Sequence, residues 1–177
     1  MIAYLKGDFV HKSPAVVHVD VNGVGYEVLI SLHTYSKIQN LDKGILQTAL
    51  LIREDAHILY GFFDLAEKEM FLHLISVSGV GASTARVMLS YMKPDELASA
   101  IIQGDTRTLE GIKGIGKKSA ERLVVELRDN TWKQDALNAL TALGIGRQQA
   151  GQAIEKTIAA NPNLSVEELI KLALRTL

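Results

Sequence analysis

Two patterns of apolar and polar positions divide the chain. In Val17-His18-Val19-Asp20-Val21, valines alternate with polar residues at a period of two, the pattern of a half-buried strand. Asn22-Gly23, a hairpin-turn dipeptide, follows, and Tyr26, Val28 and Ile30 resume the alternation. Residues 50–52 and 58–62 read as two further strands around the short turn Arg53-Glu54-Asp55-Ala56. About five short strands within residues 1–63 predict a small closed barrel or a sandwich.

The period changes at Asp64. Asp64 and Glu67 have capping-box spacing, and Ala66, Met70, Leu74 and Val77 recur at helical intervals with Phe71 beside them. No strand pattern is found from there to residue 177. Lys93-Pro94-Asp95-Glu96 opens another helix with proline near its first turn, and Gly104-Asp105 ends it and starts a short one. Residues 129–134 are polar apart from Trp132 and read as a linker. Beyond it, three helices are predicted over 135–143, 147–160 and 166–175. Asn161-Pro162-Asn163 separates the last two, and Ser165 with Glu168 gives a second capping box. The resulting domains are 1–63, 64–130 and 135–177, joined by the linker 131–134. A unit of about 43 residues is near the lower limit for independent folding.

The helical region contains an internal repeat. Val77-Ser78-Gly79-Val80-Gly81-Ala82-Ser83-Thr84-Ala85 reappears 35 residues later as Ile112-Lys113-Gly114-Ile115-Gly116-Lys117-Lys118-Ser119-Ala120. Both copies read apolar-x-Gly-apolar-Gly-x-x-Ser/Thr-Ala between helical segments. Glycine permits a turn with positive φ and close approach of a ligand to the backbone. The apolar residue between the glycines points inward. The N–H groups of the next helix then face outward at its positive end, an arrangement suited to a phosphate oxygen. Such contacts position nucleic acid without reading its sequence. Lys117, Lys118 and Arg122 add positive charge to the second copy, and Lys118 and Arg122 share a helix face; the first copy has Arg86. Neither copy is a dinucleotide fingerprint, because the third glycine and the preceding strand are missing. Gly144-Ile145-Gly146 superficially repeats the motif, with one basic residue nearby, and reads as a helix–helix turn.

Composition narrows the chemistry. The 177 residues contain no cysteine, which excludes disulfides, thiolate metal sites and cysteine nucleophiles. Nineteen basic and 20 acidic residues leave a formal net charge of −1, and each third of the chain is close to balanced. A general basic surface for nucleic acid is therefore absent, and binding must rely on a local patch and on backbone amides. No signal peptide, membrane span or Gly-x-x-x-x-Gly-Lys-Ser/Thr motif is found, so the expected location is the cytoplasm and any ATP use falls to a partner. His11, His18, His33, His57 and His73 lack metal-ligand spacing, and no metal or cofactor is expected. An alternative is a glycosylase or nuclease anchored by the hairpins, with Asp129 or Asp135 as the candidate carboxylate. A scaffold whose hairpins bind protein is another.

The paired motifs behind a small β-domain resemble the RuvA family of Holliday-junction-binding subunits. The resemblance runs from Met1-Ile2 and Gly7 through Gly23-Val24-Gly25-Tyr26-Glu27-Val28, Arg53-Glu54-Asp55-Ala56 and Leu59-Tyr60-Gly61-Phe62. Its most specific run is Gly114-Ile115-Gly116-Lys117-Lys118-Ser119-Ala120-Glu121-Arg122-Leu123. It implies a multidomain α+β protein: an N-terminal OB-fold barrel, a central tandem helix-hairpin-helix domain and a C-terminal three-helix, UBA-like domain. It also implies a homotetramer, possibly two face to face, that holds four-way junction DNA open and planar during branch migration in recombination and repair. In that picture residues 135–177 bind the hexameric ATPase RuvB, the nuclease RuvC resolves the junction, and the chain has no catalytic residues. The DNA-binding residues would be Gly79, Val80, Gly81, Ser83 and Arg86 with Gly114, Ile115, Gly116, Lys117, Lys118 and Arg122. Glu54 and Asp55 match the family's acidic pin. The chain departs from the family in a short segment before the third domain and in Leu143-Gly144-Ile145, where an aromatic residue often follows the glycine. Leu164, Leu169, Leu172 and Leu174 are expected to divide between core and partner surface.

Overall fold

The computed structural model describes residues 1–161 and 166–176, which form two compact units, 1–124 and 125–177. In the first unit, β1 (Tyr4–Lys12), β2 (Val16–Val21), β3 (Val24–Ile30), β4 (Lys43–Ile52) and β5 (His57–Phe62) close into a barrel in the order β1-β2-β3-β5-β4. Closure settles the barrel-or-sandwich alternative and leaves no free sheet edge. Neighbours pair antiparallel except β3 with β5, which run parallel with Leu29 opposite Tyr60. The predicted Asn22-Gly23 turn joins β2 to β3, both residues having positive φ (52° and 88°) as a two-residue hairpin with matching twist requires. Alternate side chains fill the barrel: Leu5, Phe9, Val17, Val19, Val28, Ile30, Leu46 and Leu59 are buried together.

A short helix that the hydrophobic pattern does not predict, α1 (Leu32–Ile38), lies between β3 and β4 and adds Ile38 to the barrel core. Its seven residues are too few to display a helical period. Its start is fixed instead by Ser31, whose hydroxyl accepts from the Thr34 N–H at 3.0 Å.

Helices follow from Asp64 on, and no strand occurs there among the described residues. They are α2 (Leu65–Ser76), α3 (Ala82–Tyr91), α4 (Pro94–Gln103), α5 (Thr106–Glu110) and α6 (Lys117–Ala142). Asp64 caps α2, accepting from the Glu67 N–H at 2.8 Å. Gly104, at φ 69°, ends α4, and Asp105 caps α5. The Thr108 hydroxyl and backbone N–H hold the Asp105 carboxyl below the usual range. Phe71 of α2 packs on Tyr60 and Phe62 of β5, with ring centroids 5.0 and 4.9 Å apart, so the barrel and the helices of this unit share apolar contacts.

Residues 131–134, expected as a linker, lie inside α6. A polar run alone does not end a helix, and no glycine or proline occurs between Gly116 and Gly144. The second unit takes the rest of α6 with α7 (Arg147–Ala160) and α8 (Val166–Thr176), which share a core of Ala136, Leu140, Ala150, Ala153, Ile154, Leu169 and Ala173. Small residues dominate that core and let short helices approach closely. Leu169 is buried, Leu172 half-buried and Leu174 exposed. Leu164, Pro162, Asn163 and the Ser165 end of the expected capping box lie outside the described residues.

Candidate nucleic-acid interface

The two repeat copies fold into the same turn. In the first, the Val80 N–H reaches back to the Val77 carbonyl at 3.0 Å; in the second, the Ile115 N–H reaches the Ile112 carbonyl at 3.0 Å. Gly79 and Gly114 take φ of 88° and 95°, values that side chains rarely adopt. Val80 and Ile115 are buried, as are Val77 and Ile112 before the turn and Ala85 and Ala120 after it. The apolar positions of the motif thus anchor the turn, and the glycines face out.

Each turn ends at a helix N-terminus. Gly81 precedes α3 and Gly116 precedes α6, and their carbonyls take the first helical bonds, from Ala85 and Ala120, at 2.9 Å each. The N–H groups of residues 82–84 and 117–119 have no partner one turn back, and glycine has no side chain to cap them. They form two sets of donors at positive helix ends, where Ala82 is buried and the other first-turn residues are exposed or half-buried. Ser83, Lys117 and Lys118 are exposed at these ends, with Lys113 beside the second turn.

The two arginines of the sequence motif reach across the fold. Arg122 donates from Nη1 to the Ser78 carbonyl at 3.1 Å, which ties the first helical turns of α6 to the first hairpin. Arg86 donates from Nη1 to the Ala15 carbonyl at 3.0 Å, in the turn between β1 and β2. Both therefore tie separate segments of this unit together while remaining at its surface, and Arg122 lies beside Gly79. The third Gly-x-Gly differs from the first two. Gly144, at φ 87°, donates to Thr141, and the Ile145 N–H reaches five residues back to the Leu140 carbonyl at 3.1 Å. That pair of bonds is a Schellman cap closing α6, consistent with a helix–helix turn.

Glu54 and Asp55 form the exposed tip of the β4–β5 turn, closed by a bond from the Arg53 N–H to the Ala56 carbonyl at 2.8 Å. The barrel's acidic turn and the hairpins' donor sets are thus opposite in charge preference.

One polar site in this unit escapes sequence reasoning. Glu67 does not complete the capping box at Asp64. Its carboxylate is fully buried and accepts from the Ser31 hydroxyl, the Thr34 hydroxyl (2.5 Å) and the Phe63 N–H (3.3 Å). Burial raises its pKa, against the opposing pull of those hydrogen bonds and of nearby His33. The capping-box spacing marks Glu67 as a local helix residue, and no signal in the sequence links it to Ser31 and Thr34.

A small β-barrel followed by two helix-hairpin-helix elements defines a class of sequence-independent nucleic-acid-binding modules. Within that class the chain matches three family models: the RuvA N-terminal domain over residues 1–61, the SAM-like helix-hairpin-helix tandem over 71–129 and the RuvA C-terminal domain over 131–177. It is 44% identical to a protein of Christiangramia forsetii and 46% identical to one of Flavobacterium psychrophilum, in each case over the whole of both chains. It is 43% identical to one of Cytophaga hutchinsonii over 99% of both. Each of these relatives is named Holliday junction branch migration complex subunit RuvA. The chain belongs to the RuvA family. No helix among its described residues is long and apolar enough to cross a membrane.

Proposed function

We propose that this chain binds four-way junction DNA without reading its sequence, as the DNA-binding subunit of a branch-migration complex. The observation that carries this reading is the repeated turn: two sets of backbone donors with matching turn bonds and glycine φ values, each at a helix N-terminus. Gly79, Val80, Gly81 and Ser83 build the first set, and Gly114, Ile115, Gly116, Lys117 and Lys118 the second. Arg86 and Arg122 brace them. Two sets hold adjacent phosphates of one duplex arm.

The active form is a homotetramer, alone or paired face to face, with one arm of the junction on each subunit. Glu54 and Asp55 of the subunits then gather at the centre. Carboxylates there repel phosphate backbone and keep the crossover open, while the hairpins hold the arms. The chain supplies no catalytic residue. ATP hydrolysis belongs to the hexameric partner RuvB, held by residues 135–177, and resolution belongs to RuvC. All of this takes place in the cytoplasm.

A competition gel shift tests the reading: an immobile four-way junction against linear duplex of the same arm sequence, at two salt concentrations. Preference for the junction that survives the higher salt is the expected result, and equal binding to both would reject it. In the same assay Glu54→Gln with Asp55→Asn retains or tightens junction binding while branch migration changes; weaker binding would count against the electrostatic role.

The third domain has its own test. Truncation after residue 134 removes the chain from just before Ala136, where the second core begins. Junction binding by the truncated chain stays within about twofold, and stimulation of the ATPase partner is lost. Intact stimulation would reject the coupling.

A further inference from the structure

The buried carboxylate of Glu67 stands where the acidic turn and the first hairpin are joined. Glu67 lies in the first turn of α2, and the far end of α2 leads into the Val77–Gly81 turn. Its donors come from three other places: Ser31 at the start of α1, Thr34 within α1, and the Phe63 N–H directly after β5. Phe63 also donates to the Thr34 hydroxyl at 2.9 Å, and the Thr34 N–H donates to the Ser31 hydroxyl at 3.0 Å, so the three donors are linked to one another. β5 runs from His57, next to the acidic turn, to Phe62, next to Phe63. One six-residue strand thus has Glu54-Asp55 just before it and the Glu67 site just after it.

The apolar part of this joint is Phe71 against Tyr60 and Phe62. Ring pairs of that kind have geometric preferences, but soft ones that tolerate sliding. A buried carboxylate differs, because moving it off its donors leaves polar groups unpaired in a low-dielectric interior. The second helix of the hairpin is joined to the barrel side by hydrogen bonds at the surface. Ser90 of α3 accepts from the Leu32 N–H at 3.0 Å, and Arg86 reaches Ala15.

We propose that Glu67 is a positioning residue: held by Ser31, Thr34 and Phe63, it sets where the acidic turn stands relative to the first hairpin, and this setting lets the protein distinguish a four-way junction from duplex. The inference rests on the function proposed above. The hairpins alone hold duplex, since their donors are local to each turn. Junction selectivity needs in addition that the repelling Glu54-Asp55 tip stand in the open centre of the crossover and not against the phosphates of a seated arm, and that is a matter of registry between β5 and α2. Glutamine at position 67 keeps the shape and an acceptor for a hydroxyl, and its amide donates to the other hydroxyl oxygen. Leucine keeps the volume and abandons the donors.

The test uses the full-length chain and measures affinity for an immobile four-way junction and for linear duplex. Fluorescent labels on the arm ends report whether the bound junction is open. The unmodified protein sets the junction preference; if it shows none, the functional reading itself fails. Given that preference, Glu67→Leu is expected to bind duplex within about threefold of the unmodified protein while junction preference falls at least about tenfold and the open state is depopulated. Glu67→Gln retains both. Thr34→Val removes one donor to Glu67 and one of the two acceptors of the Phe63 N–H at nearly constant shape, and gives a smaller loss of preference in the same direction; it carries the test should Glu67→Leu not fold. Three results would overturn the inference: full junction preference in the variants that fold, a parallel loss of duplex and junction affinity, or a glutamine variant as impaired as the leucine one.

Discussion

Aspartate in place of both Gly81 and Gly116 abolishes DNA binding and leaves the fold as stable as before, or slightly more so. Each glycine occupies the N-cap position of its helix, Gly81 with φ −81° and ψ 162°, a conformation open to any residue. A Cβ at either position meets nothing within 4 Å. An aspartate there accepts from the N–H groups two or three residues on, as N-cap aspartates do, which contributes a few tenths of a kcal/mol over glycine. The same carboxylate takes the donors that a phosphate would use and puts negative charge at the positive end of the helix. A charge-assisted hydrogen bond contributes about 1.5–3 kcal/mol. Losing one at each hairpin weakens binding by at least about 100-fold. Fluorescence anisotropy with labelled duplex and a thermal melt measure the two effects. Binding that survives in a folded double variant would show that the hairpin amides do not hold phosphate. Few substitutions push stability and function apart in this way, because the N-cap site serves helix and ligand with the same N–H groups.

Glu67→Ala, by contrast, weakens the fold. It strands the Ser31 and Thr34 hydroxyls without their acceptor and leaves a void beside them. The expected cost is about 3 kcal/mol, seen as a fall in Tm of roughly 10 °C. The pH dependence has a definite sign. Burial, the largest influence, raises the Glu67 pKa, so the folded state holds this proton more tightly than the unfolded chain does. The stability that follows is fully present below the ordinary carboxylate pKa and is lost as pH rises through the raised value. Glu67→Gln has no proton to lose there. Its stability relative to the unmodified protein therefore improves as pH climbs through that window. Denaturant titrations at a series of pH values measure the difference. A gap between the two proteins that stays flat, or that widens toward acid pH in favour of glutamine, would contradict the assignment of burial as the dominant influence.

Much of the candidate site is legible in the sequence because its determinants are local. A Gly-apolar-Gly turn carries its instructions in consecutive residues: positive φ at Gly79 and Gly114, an inward Val80 or Ile115, and a helix start with no capping side chain. The repetition of the pattern 35 residues later reinforces the reading. The Asn22-Gly23 hairpin and the Gly104-Asp105 break are legible for the same reason. Residues 129–134 show the limit of composition as a guide: polarity suggested a linker, but helix termination needs a breaker, and the nearest one is Gly144. Helix α1 shows the limit of periodicity, since seven residues hold too few apolar positions to define a face.

Order and type of most elements, the two hairpin turns and the balance of charge that forces reliance on backbone amides were all determined by the sequence alone. Each depends on neighbours a few positions apart. The tertiary structure decided where the polar side chains go. Arg86 bonds a carbonyl 71 residues away, Arg122 one 44 residues away, and Glu67 finds Ser31 and Thr34 at separations of 36 and 33. Such partners are chosen by which surfaces meet when the barrel closes and the helices pack. A basic residue near a phosphate-binding motif, or an acidic one three residues after an N-cap, reads the same in sequence whichever way its side chain turns.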